Sequence, residues 1–295
     1  LRRLTSVLDQ LGGGPHEIVL VDDGSTDGTR DIIRRAAEAD ARVRGVFLSR
    51  NFGHQAAITA GLDHVDGDAT IVMDGDLQDP PEAIPRLVEK HREGFDVVYA
   101  RRTGRKEAWW LRLAYRSFYR IMAWLSTLPL PLDAGDFSLM SRRVVEELRD
   151  MPERNRYVRG LRTWAGFSQC GIAVERGERG AGEPKYGLKR LVKLALDGIF
   201  SFSMVPLRVA TVVGAVTLAI TGAYAAYALF AKLWLGRSPQ GFTALIVTIV
   251  FMSGVQLLFL GVLGEYLGRI YRETKRRPHY VVEELAGEHT PDGTQ

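Results

Sequence analysis

Two carboxylates one residue apart, Asp74 and Asp76, are well placed to do chemistry. They follow an apolar, β-rich run at 69–73 and precede Pro80 and Pro81, a pattern typical of a strand that ends in a loop. Because alternate residues of an extended chain point the same way, both carboxylates can face one ligand. Hard divalent cations such as Mg²⁺ bind a few carboxylate oxygens together with phosphates. Asp74 and Asp76 are therefore candidate metal ligands, and a solvated acidic turn is the alternative.

A second acidic turn follows another apolar run. Residues 17–21 read Glu-Ile-Val-Leu-Val, and Asp22-Asp23-Gly24-Ser25 comes directly after them. Open α/β sheets bind ligands beyond the carboxyl ends of their parallel strands, so the two turns together predict a polar ligand site. The alternative is an ordinary strand-to-helix turn, in which Gly28 eases the backbone and an Asp or Thr caps the next helix.

The elements that must position these turns alternate between strands and helices. The patterns predict strands at 17–21, 43–48, 69–73 and 96–100, and helices at 1–10, 30–39, 54–64 and 81–93. This alternation predicts an α/β fold with a largely parallel sheet covered on both faces. His54 and His64 are interpreted as surface or cap residues, and the polar residues 283–295 as a disordered tail.

Composition narrows the classes of function. A length of 295 residues suits one domain with an additional segment. The net charge of +4 is too modest to indicate nucleic-acid binding, and the single cysteine, Cys170, excludes an intrachain disulfide.

Two uncharged segments, 209–230 and 241–264, predict transmembrane helices at about 207–231 and 241–266. Each exceeds the ~20 residues that a helix needs to cross a bilayer. The alternative is a helical hairpin buried in a soluble core. Basic residues follow the second segment, which by the positive-inside rule puts the C-terminus and the N-terminal domain in the cytoplasm, as expected for a multi-pass inner-membrane protein.

Two amphipathic segments, 108–125 and 188–202, lie between the predicted domain and the predicted spans. In the first, Arg112, Arg116 and Arg120 recur every four residues and so share one helical face. Helices with a basic face and interfacial aromatics lie in the headgroup plane of a membrane. The alternative is a core-packed helix with a solvated basic face.

Seven short segments occur in an order that is more specific than any one of them. They are residues 21–27, 50–53, 73–80, 133–137, 157–160, 164–167 and 179–186. In this order the chain resembles the inverting glycosyltransferases of the GT-A fold, which is Rossmann-like. It resembles in particular their polyprenyl-phosphate branch, which includes dolichyl-phosphate mannose synthase and bacterial bactoprenol glucosyltransferases.

The resemblance implies a reaction in which a membrane polyprenyl phosphate attacks the anomeric carbon of a nucleotide sugar, with inversion. It implies Mg²⁺ or Mn²⁺ held through Asp76 with Asp74 assisting. It assigns donor binding to Asp23, Asp74, Asp76, Gln78 and Arg179. Asp136 matches the residue usually described as the catalytic base. Since a phosphate monoester has a second pKa of ~6, we expect Asp136 to orient the acceptor or complete the metal site more than it removes a proton. The alternative for residues 133–136 is an ordinary turn after Pro129 and Pro131.

The acceptor headgroup is a dianion and needs cations near the bilayer. Arginine suits this role because its planar fork binds phosphate oxygens in pairs. The candidates are Arg102, Arg116, Arg120 and Lys185. The expected donor is UDP-glucose first and GDP-mannose second, the expected acceptor is undecaprenyl or decaprenyl phosphate, and relatives imply homo-oligomers, including tetramers.

The predicted organisation has four parts. They are a nucleotide-sugar-binding core at 1–107, an acceptor-side region at 108–204, two transmembrane helices within 205–268, and a basic then polar tail at 269–295.

One departure from the family concerns the start of the chain. Relatives begin with a strand that carries a Pro-x-Tyr/Phe-Asn-Glu motif, whereas Leu1 falls in what should be the following helix. We expect the chain as given to lack that internal strand and to be poorly active. Two rival interpretations remain, a processive polysaccharide synthase and a membrane-anchored scaffold with an inactive transferase domain.

Overall fold

A computed structural model describes residues 1–76, 78–103, 134–153, 156–175, 205–235 and 241–287. These residues fall into two compact units. The α/β unit holds 1–103, 134–175 and 276–287, and the helical unit holds 205–235 and 241–275.

The α/β unit begins with the predicted alternation of strands and helices. Its first elements are α1 (Arg2–Gln10), β1 (Ile18–Asp22), α2 (Thr29–Ala39), β2 (Val43–Leu48), α3 (His54–Asp63), β3 (Ala69–Val72), a 3₁₀ turn (Pro81–Ala83) and α4 (Ile84–Arg92). The later elements are β4 (Val97–Thr103), β5 (Ala134–Ser141), α5 (Arg142–Asp150), α6 (Val158–Trp164), β6 (Gln169–Glu175) and β7 (Val282–Ala286). The predicted strands and helices are confirmed to within three residues at each end.

The strands form two mixed sheets, not one largely parallel sheet. In the first, β2 lies between β1, which is parallel to it, and β7, which is antiparallel. The second has the order β3-β5-β4-β6, in which β5 is antiparallel to both neighbours and β4 is parallel to β6. The prediction of parallel pairing was based on the N-terminal βα repeat, whereas β5 and β7 come from later parts of the chain.

Among the described strands, β1 and β3 each pair on one side only and lie at the ends of their sheets. The expectation of a further strand beside them stays a prediction.

Apolar side chains on both faces of the strands form the core. Phe47, Leu48, Val98 and Leu139 are fully buried. From α3, the small residue Ala60 packs with Val46 and Leu48, which lets this helix lie close to β2. The close packing brings the first residue of α3 to the end of the sheet where the acidic turns lie.

The helical unit contains α7 (Val205–Leu235) and α8 (Phe242–Thr274). By length and composition both helices could cross a membrane, over Leu207–Trp234 and Thr248–Thr274, and neither apolar window is buried. The predicted interface helices at 108–125 and 188–202 lie outside the described residues.

The prediction of a disordered tail from residue 283 is wrong for the first part of that segment. Val282–Ala286 forms β7 on the edge of β2, and Glu284 accepts two hydrogen bonds from Arg34 of α2. The segment was predicted to be disordered because it is polar and contains Pro and Gly, whereas alternate residues of Val282–Ala286 pack on the sheet.

Candidate active site

Asp136 lies near the start of β5 and is buried. Arg159 of α6 holds its carboxylate through two hydrogen bonds of 2.6 Å, with Nε donating to Oδ1 and Nη2 donating to Oδ2. This bidentate geometry is the strong form of an arginine–carboxylate pair. It fixes both the position and the ionised state of Asp136.

His54, the first residue of α3, links Asp136 to the acidic turn at 74–76. Its Nε2 lies 3.2 Å from Oδ2 of Asp136 and 3.6 Å from Oδ1 of Asp74. The sequence interpretation of His54 as a helix-end surface residue agrees with its half-exposed side chain, but it missed these two carboxylate contacts. His64, by contrast, is the C-terminal cap residue of α3, as predicted.

The electrostatics of this cluster favour ionised Asp136. Burial alone would raise the pKa of Asp136, but the hydrogen bonds from Arg159 and His54 outweigh it and hold that pKa well below its usual range. The hydrogen bond to Asp136 raises the pKa of His54, and the charge of Asp74 adds to this effect. An aspartate with such a low proton affinity is a poor general base.

The turn at 74–76 offers carboxylate oxygens to solvent. Asp76 is exposed, and its Oδ1 accepts a 3.0 Å hydrogen bond from the backbone N–H of Gln78, which is itself buried. Among the described residues, no group of three or more His, Cys, Asp or Glu side chains is arranged to hold a metal ion. Mg²⁺ typically takes only one or two protein carboxylates and completes its shell with substrate phosphates and water. The donor set of Asp74 and Asp76 fits this kind of ion.

The first acidic turn joins two loops. Asp23 accepts hydrogen bonds from the backbone N–H groups of Phe52, at 2.6 Å, and Gly53, at 2.9 Å. Its neighbour Asp22 is buried and accepts hydrogen bonds from the Ser25 N–H and from Arg30. The turn therefore organises the loop that leads into α3 and His54. Whether Asp23 also contacts a nucleotide stays a prediction.

A second arginine on α6, Arg162, lies beside this cluster. Its side chain is buried and its Cζ lies 5.4 Å from the centroid of the Tyr99 ring. Nε and Nη2 of Arg162 have no hydrogen-bond partner among the described residues. Burial lowers the pKa of Arg162 to about 10, so the guanidinium remains charged at neutral pH.

Sequence reasoning missed three members of this cluster as site residues: His54, Arg159 and Arg162. The available signal was the spacing of the two arginines, because side chains three positions apart share a helical face. Of the predicted acceptor-side cations, Arg102 lies on β4 opposite Val174 of β6. The other predicted cations, Arg116, Arg120, Arg179 and Lys185, lie outside the described residues.

Comparison with known proteins agrees with this architecture. Residues 1–149 match the family described as glycosyl transferase family 2, and residues 205–270 match the GtrB C-terminal hairpin. An uncharacterized glycosyltransferase of Bacillus subtilis, YkcC, is 44% identical over 97% of this chain and 88% of its own length. A bactoprenol glucosyl transferase of Shigella phage SfX is 44% identical over 90% of this chain and 88% of its own length.

A search of solved structures finds similarity to the mannosyltransferase PcManGT of Pyrobaculum calidifontis, in complex with GDP-Man and Mn²⁺. It is 17% identical, with a TM-score of 0.42, and covers 93% of this chain and 83% of its own. The predicted resemblance is confirmed by the family match over half of the chain and by relatives more than 40% identical over nine-tenths of it. The chain belongs to glycosyltransferase family 2.

Proposed function

We propose that this glycosyltransferase moves glucose from a nucleotide diphosphate sugar to a membrane polyprenyl phosphate, with inversion at the anomeric carbon. UDP-glucose is the first expected donor and GDP-mannose the second. The observation that carries the proposal is the 44% identity to bactoprenol glucosyl transferases over 267 residues, an extent that takes in most of the chain. The match to the GtrB hairpin supports it independently of the α/β unit.

The acidic turn at 74–76 is proposed to hold the donor diphosphate. Asp76 and Asp74 would hold Mg²⁺ or Mn²⁺. When bound, this ion would neutralise the negative charge that develops on the leaving diphosphate. The exposed carboxylate of Asp76 supports this role. Asp23, Gln78 and Arg179 complete the proposed donor site.

Asp136 is proposed to orient the acceptor, not to remove a proton from it. The phosphate nucleophile is already mostly ionised at neutral pH, because its second pKa is ~6. The two hydrogen bonds from Arg159 and the contact with His54 keep Asp136 fixed and ionised, which supports an orienting role. The proposed cations for the acceptor phosphate are Arg102 of β4, together with Arg116, Arg120 and Lys185 from the predicted acceptor-side region at 108–204.

The helices α7 and α8 are proposed to span the inner membrane, with the α/β unit and the C-terminus in the cytoplasm. The exposure of large apolar side chains such as Leu218, Trp234 and Leu257 supports lipid contact. A homo-oligomer, with a tetramer as one arrangement, is part of the same proposal.

The test uses membranes that contain the chain as given or the chain extended upstream of Leu1, incubated with polyprenyl phosphate, Mg²⁺ and a panel of radiolabelled nucleotide sugars. Label that enters the organic phase from one donor, and is lost with Asp76→Asn, supports the proposal and identifies the sugar. Asp68→Asn is the matched control, because the Asp68 side chain is fully exposed and outside the site.

The rival functions give different results in the same assay. A processive synthase would put the label into a polymer that does not enter the organic phase. A scaffold would transfer no label from any donor, and the same result would hold in a chain extended upstream of Leu1.

A further inference from the structure

We propose that Arg162 binds phosphate oxygens in the active site, using the Nε and Nη2 edge of its guanidinium. The ligand chemistry is a phosphate monoester or diphosphate anion, such as the acceptor headgroup or the donor diphosphate. The identification of the ligand rests on the proposed function, while the anion site itself rests on the geometry of the cluster formed by Arg162, Arg159, Asp136 and Tyr99.

The first observation is a buried guanidinium edge without a hydrogen-bond partner. Arg162 is 1% exposed, and neither Nε nor Nη2 has a hydrogen-bond partner within the described part of the chain. Buried polar groups in proteins are almost always paired, and an unpaired buried cation is strongly destabilising. A ligand that accepts hydrogen bonds from these two donors would remove the energetic cost of burying Arg162.

The second observation is the contrast with Arg159, one helical turn away. Arg159 uses its Nε and Nη2 to hold the two oxygens of Asp136, each at 2.6 Å. In Arg162 the same edge of the guanidinium has no described partner. That edge carries two parallel N–H donors, which match two oxygens of a phosphate as well as they match a carboxylate.

The charges of the cluster point to an anion. Asp136 is the carboxylate whose charge most favours protonated Arg162, but both of its oxygens already accept hydrogen bonds from Arg159. The Asp136–Arg159 pair is therefore close to neutral, and Arg162 adds a further positive charge beside it. Tyr99 covers one face of the guanidinium and supplies only a weak cation–π contact.

The test compares the wild-type protein with Arg162→Met and Arg162→Lys, each purified as the full chain in detergent. Methionine removes the buried charge at similar size, so the variant is expected to be at least as heat-stable as the wild type. Lysine keeps the positive charge but lacks the two parallel N–H donors of the guanidinium edge. Arg156→Met is the matched control, because Arg156 is also buried with an unpaired Nε but donates to the Leu148 carbonyl.

The first readout is the rise in unfolding temperature on adding inorganic pyrophosphate, UDP or a short-chain polyprenyl phosphate. We expect at least one of these anions to stabilise the wild type and Arg156→Met, and to lose most of this effect in Arg162→Met. An unchanged anion-dependent shift in both Arg162 variants would overturn the proposal. If Arg162→Met does not fold, the same comparison with Arg162→Lys decides.

The second readout is steady-state kinetics, which distinguishes the two phosphate sources. Loss of a charge-assisted pair of hydrogen bonds is expected to raise a KM on the order of 10- to 100-fold. A rise in the KM for polyprenyl phosphate alone identifies the acceptor headgroup, and a rise in the KM for the nucleotide sugar alone identifies the donor diphosphate. Two unchanged KM values would overturn the proposal.

The two proposals can fail separately. An anion-dependent stabilisation that needs Arg162, in a protein that transfers no glucose, supports the anion site and contradicts the proposed function. Glucose transfer by a protein whose anion-dependent stabilisation does not need Arg162 supports the proposed function and contradicts the anion site.

Discussion

The guanidinium of Arg159 and the carboxylate of Asp136 form a two-point contact, with both hydrogen bonds at 2.6 Å. The two residues lie 23 positions apart and reach each other from α6 and β5. The contact immobilises the carboxylate and keeps it ionised, so Asp136 is better suited to orient a substrate than to accept a proton.

We expect Arg159→Lys to lower kcat by roughly 10- to 100-fold, because an ammonium cannot hold both oxygens and small misplacements in an active site are costly. The KM for the nucleotide sugar should change little. Steady-state kinetics in detergent would measure both constants. Arg143→Lys is the matched control, since Arg143 pairs with the buried Asp96 away from the site. Equal loss of kcat in the two variants would show that the Arg159 effect is a general loss of packing.

The pH dependence of stability follows from the lowered pKa of Asp136. Burial opposes this lowering, but the hydrogen bonds from Arg159 and His54 exceed it. A depressed carboxyl pKa contributes stability that is fully present above the unfolded-state pKa of ~3.9 and is lost as the pH falls through the folded-state pKa.

The measurement is the unfolding temperature of Asp136→Asn relative to its parent, with EDTA present. Both proteins should carry His54→Gln, so that the imidazole does not titrate. We expect a constant difference from about pH 8 to about pH 5, and a smaller difference below about pH 4. A difference that stays constant or grows in favour of the parent as the pH falls below about 4 would mean that the pKa of Asp136 is not lowered.

Two glycines in the first acidic turn should respond differently to alanine. Gly24 and Gly28 have similar positive φ angles, +72° and +80°, so the backbone strain of an added Cβ is matched. A Cβ on Gly24 would lie 2.6 Å from backbone atoms of Arg50 and Asn51, whereas a Cβ on Gly28 would meet nothing within 4 Å. Only Gly24→Ala should push apart the loops that Asp23 joins.

For Gly28→Ala we expect a loss of about 1–2 kcal/mol in the free energy of unfolding and near-normal kinetics. For Gly24→Ala we expect, in addition, a KM for the nucleotide sugar raised on the order of 10- to 100-fold. Similar KM values in both variants would argue against a role of this turn in donor binding.

The C-terminal strand β7 should depend on packing more than on its ion pairs. Val282 packs against the cluster of Val46, Leu48 and Ala60, whereas the Arg34–Glu284 pair is more than one-third exposed. We expect Val282→Asp to destabilise the protein by about 2 kcal/mol and Glu284→Gln by less than about 1 kcal/mol. Thermal unfolding compares them, and a larger loss with Glu284→Gln would contradict this order.

The sequence by itself determined the local structure of the N-terminal half. Apolar runs ending at Val21 and Met73 predicted β1 and β3, because alternation and turn residues are local signals. The charge-free segments predicted the two long helices for the same reason. Ordered motifs, which include both acidic turns and Asp136, were sufficient to predict the family.

Only the tertiary structure decided which side chains meet. His54 joins Asp74 to Asp136 because α3 packs on β2, and Arg159 reaches Asp136 because α6 lies beside β5. The pairing of β7 with β2 joins residues more than 200 positions apart. Such contacts depend on the packing of distant elements, which leaves no periodic trace in the chain. The spacing of Arg159 and Arg162 could therefore indicate a shared helical face, but not that this face lies beside Asp136.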